Sequence, residues 1–366
     1  MNKKITVVSI LFLVVSVFLF PARKEQQDLY LKAVAEKDLP TKMELLKEYA
    51  EKYGDSKDKF LRFIYLNLSE TAYKLQEYDE AIQYGETSLA YEEELDPTNK
   101  LNVLFYLANS YYVTRKDFDK GLEYATTIIE LSNSVLKKMQ ESEQEQEKID
   151  SFVKKYQVYY IAPAYRLQAL IWYAKGKDNT EYIKKAAENA IKAFDNDDGS
   201  ENSYKLVFSL AGNLYGKNLY NEAIAVTEKI IDKENPKYKE VFFLANLYLK
   251  TKNKDKALDY FELAYKVKRQ ADLALRIGQM VHKQDIDKGI RYFADAYVLS
   301  QFDKESKAYK YLEHLYFNEK AKDQSPEEKE KGFKAIIDAA RTRFGMGVEK
   351  PGTGTETNKS SDRLTT

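Results

Sequence analysis

The chain has no cysteine among its 366 residues and only two histidines, His282 and His314. No disulfide, thiolate metal site or cysteine nucleophile can therefore form. Neither an HExxH nor a paired HxH spacing occurs, so a transition-metal centre lacks its usual ligands. There is no excess of either charge: 58 Lys plus Arg balance 58 Asp plus Glu. Non-specific nucleic-acid binding needs a basic excess to displace counterions, and that class is set aside. With 14 Gly and 7 Pro, glycine and proline are also scarce. Neither GxxxxGK[ST] nor GxGxxG appears, so nothing signals a nucleotide phosphate site. No catalytic constellation stands out among the scattered carboxylates, and the chain is expected to be neither an enzyme nor the holder of a cofactor.

Aromatic and charged residues are abundant. The sequence holds 30 Tyr and 18 Phe, with 32% charged and 44% hydrophobic residues. That balance suits helices packed through aromatic rings. The extreme N-terminus differs. After the basic Met1-Asn2-Lys3-Lys4, Ile5 to Phe20 is apolar apart from Thr6, Ser9 and Ser16. The run lies between a signal-peptide core of about 7–15 residues and a spanning helix of roughly 17–25. Cutting after Ala22 would put Phe20 where a small residue is preferred, which favours an uncleaved anchor over residues 1–22. Lys3 and Lys4 would keep the short end inside. The expected location is the cytoplasmic membrane with the rest of the chain outside the cytoplasm, or the periplasm or medium if the segment is cleaved.

From there the chain repeats itself. Residues 65–89, 104–128, 207–230, 244–266 and 274–296 share one pattern: Leu or Ile, a small residue, an aromatic or apolar residue, a polar turn, then a second apolar run. Small residues open the second run at Ala81, Gly121, Ala223, Ala257 and Gly289, the last three 34 and 32 apart. Apolar residues at i, i+3, i+4 and i+7 put one face of each run toward a partner. Ala108, Ala211, Ala245 and Gly278 would let the two backbones approach. One such pair cannot bury both its apolar sides, so it must stack on neighbours.

This pattern resembles the tetratricopeptide repeat family. The residues carrying the likeness are Leu244, Ala245, Tyr248, Ala257, Phe261 and Ala264; Leu210, Ala211, Tyr220, Ala223 and Pro236; and Leu107, Ala108, Tyr111, Phe118 and Gly121. The second repeat has one residue more at its turn, and the repeat near 272–299 one fewer. The resemblance implies an all-α, right-handed superhelical solenoid of about seven antiparallel helix pairs over residues 23–344. Pro163 should bend the first helix of a pair at 151–195. The polar segment near 137–148 should protrude as helix or loop. Ser325-Pro326-Glu327-Glu328 should open a capping helix over 326–344 that closes a pair begun at 304. Residues 345–366 read as a disordered tail. Asp195 to Ser200 looks like a calcium loop but has Leu206 where the closing Glu belongs, and reads as a helix end and turn. Asn67-Leu68-Ser69 matches a glycosylation sequon inside a predicted helix and is discounted.

First helices line the concave face in that family. The resemblance thus implies a partner-binding surface of Phe105, Asn109 and Tyr112; Phe208 and Tyr215; Phe242, Asn246 and Leu249; and Gln279 and His282. Aromatics interleaved with amides suit a peptide; the plainer reading is that the rings fill space between adjacent first helices. Phe105 and Phe242 stand where some members place the lysine of a carboxylate clamp, so that specificity is not expected. The function expected is a non-catalytic scaffold or adaptor of the cell envelope binding a protein or peptide partner. Alternatives are a freely exported chaperone-like protein and a carbohydrate- or peptidoglycan-binding repeat protein. An open array end is compatible with self-association.

Overall fold

The computed structural model describes residues 24–54, 60–91, 95–142 and 144–347. The expected anchor over residues 1–22 and the tail beyond Gly347 lie outside the described residues. The described residues form helices and their connections, with no strand among them. They form two compact units that meet in sequence at Ile230 and Ile231.

The first unit holds α1 (residues 24–35), α2 (Leu39–Tyr53), α3 (Leu61–Lys74), α4 (Tyr78–Leu89), α5 (Pro97–Thr114), α6 (Phe118–Gln140), α7 (Gln146–Tyr156), α8 (Ala162–Lys175), α9 (Thr180–Asn196), α10 (Glu201–Gly216) and α11 (Tyr220–Ile230). Five hairpins follow: α1/α2, α3/α4, α5/α6, α8/α9 and α10/α11. Second helices also pack on the first helix of the next pair, as α4 does on α5 and α9 on α10. The second unit holds α12 (Tyr238–Lys250), α13 (Lys254–Val267), α14 (Ala271–Val281), α15 (Ile286–Leu299), α16 (Lys307–His314) and α17 (Pro326–Arg343), with hairpins α12/α13 and α14/α15. The seven hairpins are the tetratricopeptide-like architecture the repeats foretold.

The small residues act as expected. Ala81, Ala108, Ala211, Ala223, Ala245 and Ala257 are wholly buried. A Cβ on Gly278 would come within 2.7 Å of the Phe293 ring, and one on Gly289 within 2.8 Å of the His282 Cα. Where Ser69 replaces the usual Ala or Gly, its hydroxyl donates to the Ala81 carbonyl at 2.9 Å across the hairpin. Helices start at side-chain caps that satisfy free N–H groups. Asp96 accepts from Thr98 and Asn99, Asp117 from Asp119 and Lys120, and Ser325 forms a full capping box with Glu328.

Turns inside the hairpins use the left-handed region without glycine, at Gln76, Arg115, Asn218 and Lys252. The pair with one residue fewer, α14/α15, has no such residue between its helices. Its α14 stops at Val281, and the carbonyl of Val281 accepts from both Gln284 and Asp285 N–H.

Three expectations are refined. Pro163 does not end its helix: the path from Gln146 to Lys175 is continuous, with a π turn over Gln157–Ile161 in which Ala162 N–H reaches the Gln157 carbonyl. The extra residue in that turn takes the chain past a proline that cannot donate. The polar stretch near 137–148 is the exposed end of a hairpin, since α6 runs to Gln140 and α7 starts at Gln146 and packs back on it. Finally, α17 does not simply pair with α16 but lies along α15. Its Arg343 forms a two-pronged ion pair with buried Asp295, Nε at 2.9 Å and Nη2 at 2.5 Å. Tyr265 donates to the other Asp295 oxygen at 3.1 Å. Near the middle of α17, Phe333 sits among Tyr309, Tyr316 and Phe317.

Candidate functional site

None of the ten candidate residues is fully buried, and they divide by what they touch. In the first unit the rings bridge neighbouring first helices. Tyr73 on α3 meets Phe105 and Tyr106 on α5, at 6.4 and 5.0 Å between centroids, and its hydroxyl accepts from the Asn109 amide. Desolvation, followed by the Glu70 carboxylate, pushes the Tyr106 hydroxyl well above its ordinary pKa. Tyr112 packs against the core of Ala108, Ala125, Leu167 and Ile171. Phe208 stacks on Tyr204, one turn away on the same helix, at 6.2 Å. Tyr215 closes its own hairpin edge-on to Tyr220 at 5.5 Å, as Tyr73 does with Tyr78 at 5.9 Å. These are the contacts of space-filling rings.

The register held one surprise. The amide joining α10 to its predecessor is Asn213, which accepts from the Tyr173 hydroxyl at 3.1 Å. It stands next to Gly212, where aligning the repeats would put the amide, and a one-residue shift on a helix turns a side chain by about 100°.

In the second unit two of the candidates, Phe242 and Gln279, line an open cavity of about 370 Å³ between α12 and α14. Phe242, Leu273 and Leu275 give it an apolar wall, and Tyr238, Gln270, Asp272, Arg276 and Gln279 complete the lining. Tyr238 stacks on Phe242 at 5.5 Å and donates from its hydroxyl to Gln270 Oε1 at 2.7 Å. Asn246 is held from both ends. Its amide donates to the Phe242 carbonyl at 2.7 Å, and its oxygen accepts from Arg276 Nη1 at 2.9 Å. The Arg276 guanidinium also lies 5.1 Å from the Phe261 centroid, so one face is fixed while the residue stays exposed. Leu249 is half-buried farther along α12.

His282 departs from the expectation. Its ring lies 6.0 Å from Phe293 and 6.4 Å from Tyr311, and its Cβ crowds Gly289, which places it among α14, α15 and α16 and away from the α12–α14 cavity. Asp197 of the calcium-like stretch is also engaged, accepting from Arg166 and from the Ser200 and Ser203 hydroxyls at 2.7 Å each. The stretch is a helix end and turn, with Gly199 at φ +71°. Asn67 bonds the Phe63 carbonyl within α3, and Ser69 is buried, so the sequon is part of the helix.

Tyr238, Gln270 and Arg276 were not among the candidates, because two of them lie outside the repeated register and the arginine reads as a solvated charge. A second missed feature had a sequence signal. Asp119-Lys120-Gly121-Leu122-Glu123-Tyr124 and Asp287-Lys288-Gly289-Ile290-Arg291-Tyr292 are the same motif in the two units. In each, the lysine and tyrosine converge on a glutamate of the preceding second helix. Lys120 and Tyr124 reach Glu86 at 2.8 and 3.3 Å; Lys288 and Tyr292 reach Glu262 at 2.6 and 3.2 Å. The aspartate turns the other way, Asp119 to Lys175 and Asp287 to Lys320.

No protein-family model matches the chain, and no curated protein does. Among solved structures it is similar to a tetratricopeptide repeat protein from Parabacteroides merdae at 13% identity and TM-score 0.38, covering 80% of this chain and 99% of that one. It is similar to the apo form of RapI at 15% identity and TM-score 0.40, covering 88% and 100%. An assembly chaperone of RpL4 gives 13%, 0.40, 72% and 97%. Likenesses this distant assign no residue a role.

Proposed function

We propose that the protein is a non-catalytic scaffold whose second unit captures a protein or peptide partner at the cavity between α12 and α14. The observation that carries this reading is the cavity itself: an apolar wall of Phe242, Leu273 and Leu275 beside polar side chains of Gln270, Asp272, Arg276 and Gln279. Such a surface can take one large apolar side chain and bond the backbone on either side of it. The aromatic strip of the first unit contributes packing in this reading, because Tyr73, Phe105 and Asn109 bind one another. Residues 1–22 support placement at the cell envelope, as an anchor or as an export signal, through their basic start and apolar run.

The test is site-directed photocrosslinking from position 279 in the full chain, in envelope extract, beside Phe242→Ala and Phe105→Ala. A crosslinked protein that disappears with Phe242→Ala and persists with Phe105→Ala supports the cavity. One that persists with both substitutions moves the working surface elsewhere.

A further inference from the structure

The end of α17 is tied to the segment that opens α14. Arg343 closes α17, and its side chain pairs with buried Asp295 on α15. Its main-chain carbonyl is one of the last four that no further turn of helix can satisfy, and it accepts from Arg269 Nη1 at 2.8 Å. The Arg269 guanidinium also lies 5.3 Å from the Phe344 centroid. The next residue, Gln270, starts α14, its carbonyl accepting from the Ala274 N–H at 3.0 Å. The Gln270 side chain does not cap that helix; it accepts from the Tyr238 hydroxyl on α12 at 2.7 Å instead. Residues 270–279 carry most of the cavity lining. The start of α14 is thus held from outside, by Tyr238 and by the end of α17. The helix that does the holding is itself lightly seated: two of its eighteen residues, Phe333 and Ala340, are buried.

We propose that α17 is a strap that regulates the cavity. Docked, its end holds Arg269 and so fixes Gln270 and the first two turns of α14, where Asp272, Leu273, Leu275 and Arg276 line the cavity. Released, it frees those turns, and the Tyr238–Gln270 bond and the apolar wall lose their fixed spacing. A helix seated by few buried side chains opens at a lower free-energy cost than packed hairpins do, so the strap can move while the hairpins stay folded. The coupling runs both ways. An occupant that needs the ordered turns favours docked α17 by the same factor by which docked α17 favours the occupant. The regulation rests on the reading of the cavity as the capture site. The link between α17 and α14 is a property of the chain alone and is measured without a partner.

Amide hydrogen exchange of the full chain tests the link. Arg269→Ala removes both of its contacts with the end of α17, and Phe344→Ala removes the ring alone; Arg343 and Asp295 stay in place in each. Arg269→Ala should speed exchange over residues 274–277 and 340–343 by about three- to tenfold, the loss of one hydrogen bond and one cation–π contact at an exposed site. Phe344→Ala should have a smaller effect of the same sign and should add nothing once Arg269 is gone, because both act through one contact. Arg269→Lys, which can still donate to the Arg343 carbonyl, should fall between the parent and Arg269→Ala. Exchange over 274–277 that is indifferent to Arg269→Ala overturns the proposal, as does a full second increment from Phe344→Ala. The second readout is the photocrosslinking yield from position 279, which should fall severalfold in Arg269→Ala; an unchanged yield overturns the regulation. If the parent chain crosslinks to no protein at all, the capture reading fails, and the exchange result still decides the strap. Circular dichroism of each variant establishes that the helices are intact.

Discussion

The same connector is built once in each unit, and its surroundings differ. Around Glu86, three donors converge: Lys120, Tyr124 and the Tyr111 hydroxyl at 2.7 Å. Burial would raise the Glu86 pKa, but these bonds outweigh it and hold the carboxyl below its ordinary value. Around Glu262, among the described residues, Lys288 and Tyr292 converge, and the second unit adds a deeper ion pair nearby, Asp295 with Arg343. The first unit has its own buried pair, Arg166 with Asp197. The two buried aspartates have nearly the same side-chain exposure, 3% each, yet very different company. Among the described residues, Asp197 keeps Ser200 and Ser203 as donors if its arginine is lost, and Asp295 keeps Tyr265 alone. The lesson is that an ion pair's importance depends on what remains to solvate the buried charge once its partner has gone.

The largest expected effect comes from that contrast. Arg343→Met should destabilise α15 and α17 by about 3 kcal/mol, toward the low end for a buried charge left without its partner because Arg343 is itself partly exposed. Arg166→Met should cost roughly 1–2 kcal/mol, since the Ser200 N–H and the Ser200 and Ser203 hydroxyls still donate to Asp197. Amide hydrogen exchange resolved by helix is the readout. Equal losses would show that the serine hydroxyls do not compensate.

Next comes the glycine of the connector. At Gly289 an added Cβ would meet the His282 Cα at 2.8 Å, whereas at Gly121 the nearest atom is the Ile171 Cδ1 at 3.1 Å. A side-chain methyl can move aside more readily than a helix backbone. Gly289→Ala should cost about 2 kcal/mol by overpacking. Gly121→Ala should lie within about 1 kcal/mol of the parent, because the alanine's helix propensity offsets a slight repacking. Urea titrations of the two variants decide it, and the prediction fails if the order is reversed.

A smaller effect concerns the connector's charges. Glu86→Gln should cost about 1 kcal/mol and Glu262→Gln somewhat less, as partly exposed pairs contribute little. The Glu86 pKa is depressed in the folded chain, so its contribution is complete above the ordinary carboxylate range and fades as pH falls through the folded value. The Glu86→Gln variant should therefore converge with the parent in acid. In alkali the tyrosines dominate. Burial, reinforced by Glu86, raises Tyr124 to about 12, and burial with Glu313 does the same for Tyr309. Their contribution is whole below pH ~10 and is lost as pH rises toward the folded values. Tyrosinate absorbance should thus rise together with loss of helix. The smallest effect is a gain. Lys252 holds φ +63° in the α12/α13 turn, and Lys252→Gly should stabilise by a few tenths of a kcal/mol up to about 1. The same change at Lys283, in the α14/α15 turn that lacks a left-handed residue, should not.

The sequence by itself determined the hairpins. Small residues at fixed spacing, apolar positions at helical period and cap residues such as Asp117 and Ser325 act locally, within one or two turns of chain, so a one-dimensional pattern can carry them. It also contained the Asp-Lys-Gly connector, twice, for a reader who aligned the charges as well as the small residues. Only the tertiary structure decided what each candidate touches. Tyr73 and Phe105 occupy one another, His282 turns toward α15 and α16, and Asn213 replaces its neighbour, because side-chain direction changes by about 100° per residue and repeat lengths vary. The α12–α14 cavity, the Asp295–Arg343 pair and the end of α17 beside Arg269 join residues 30 or more positions apart. Such contacts arise from how helices of particular lengths stack, and no local pattern encodes them.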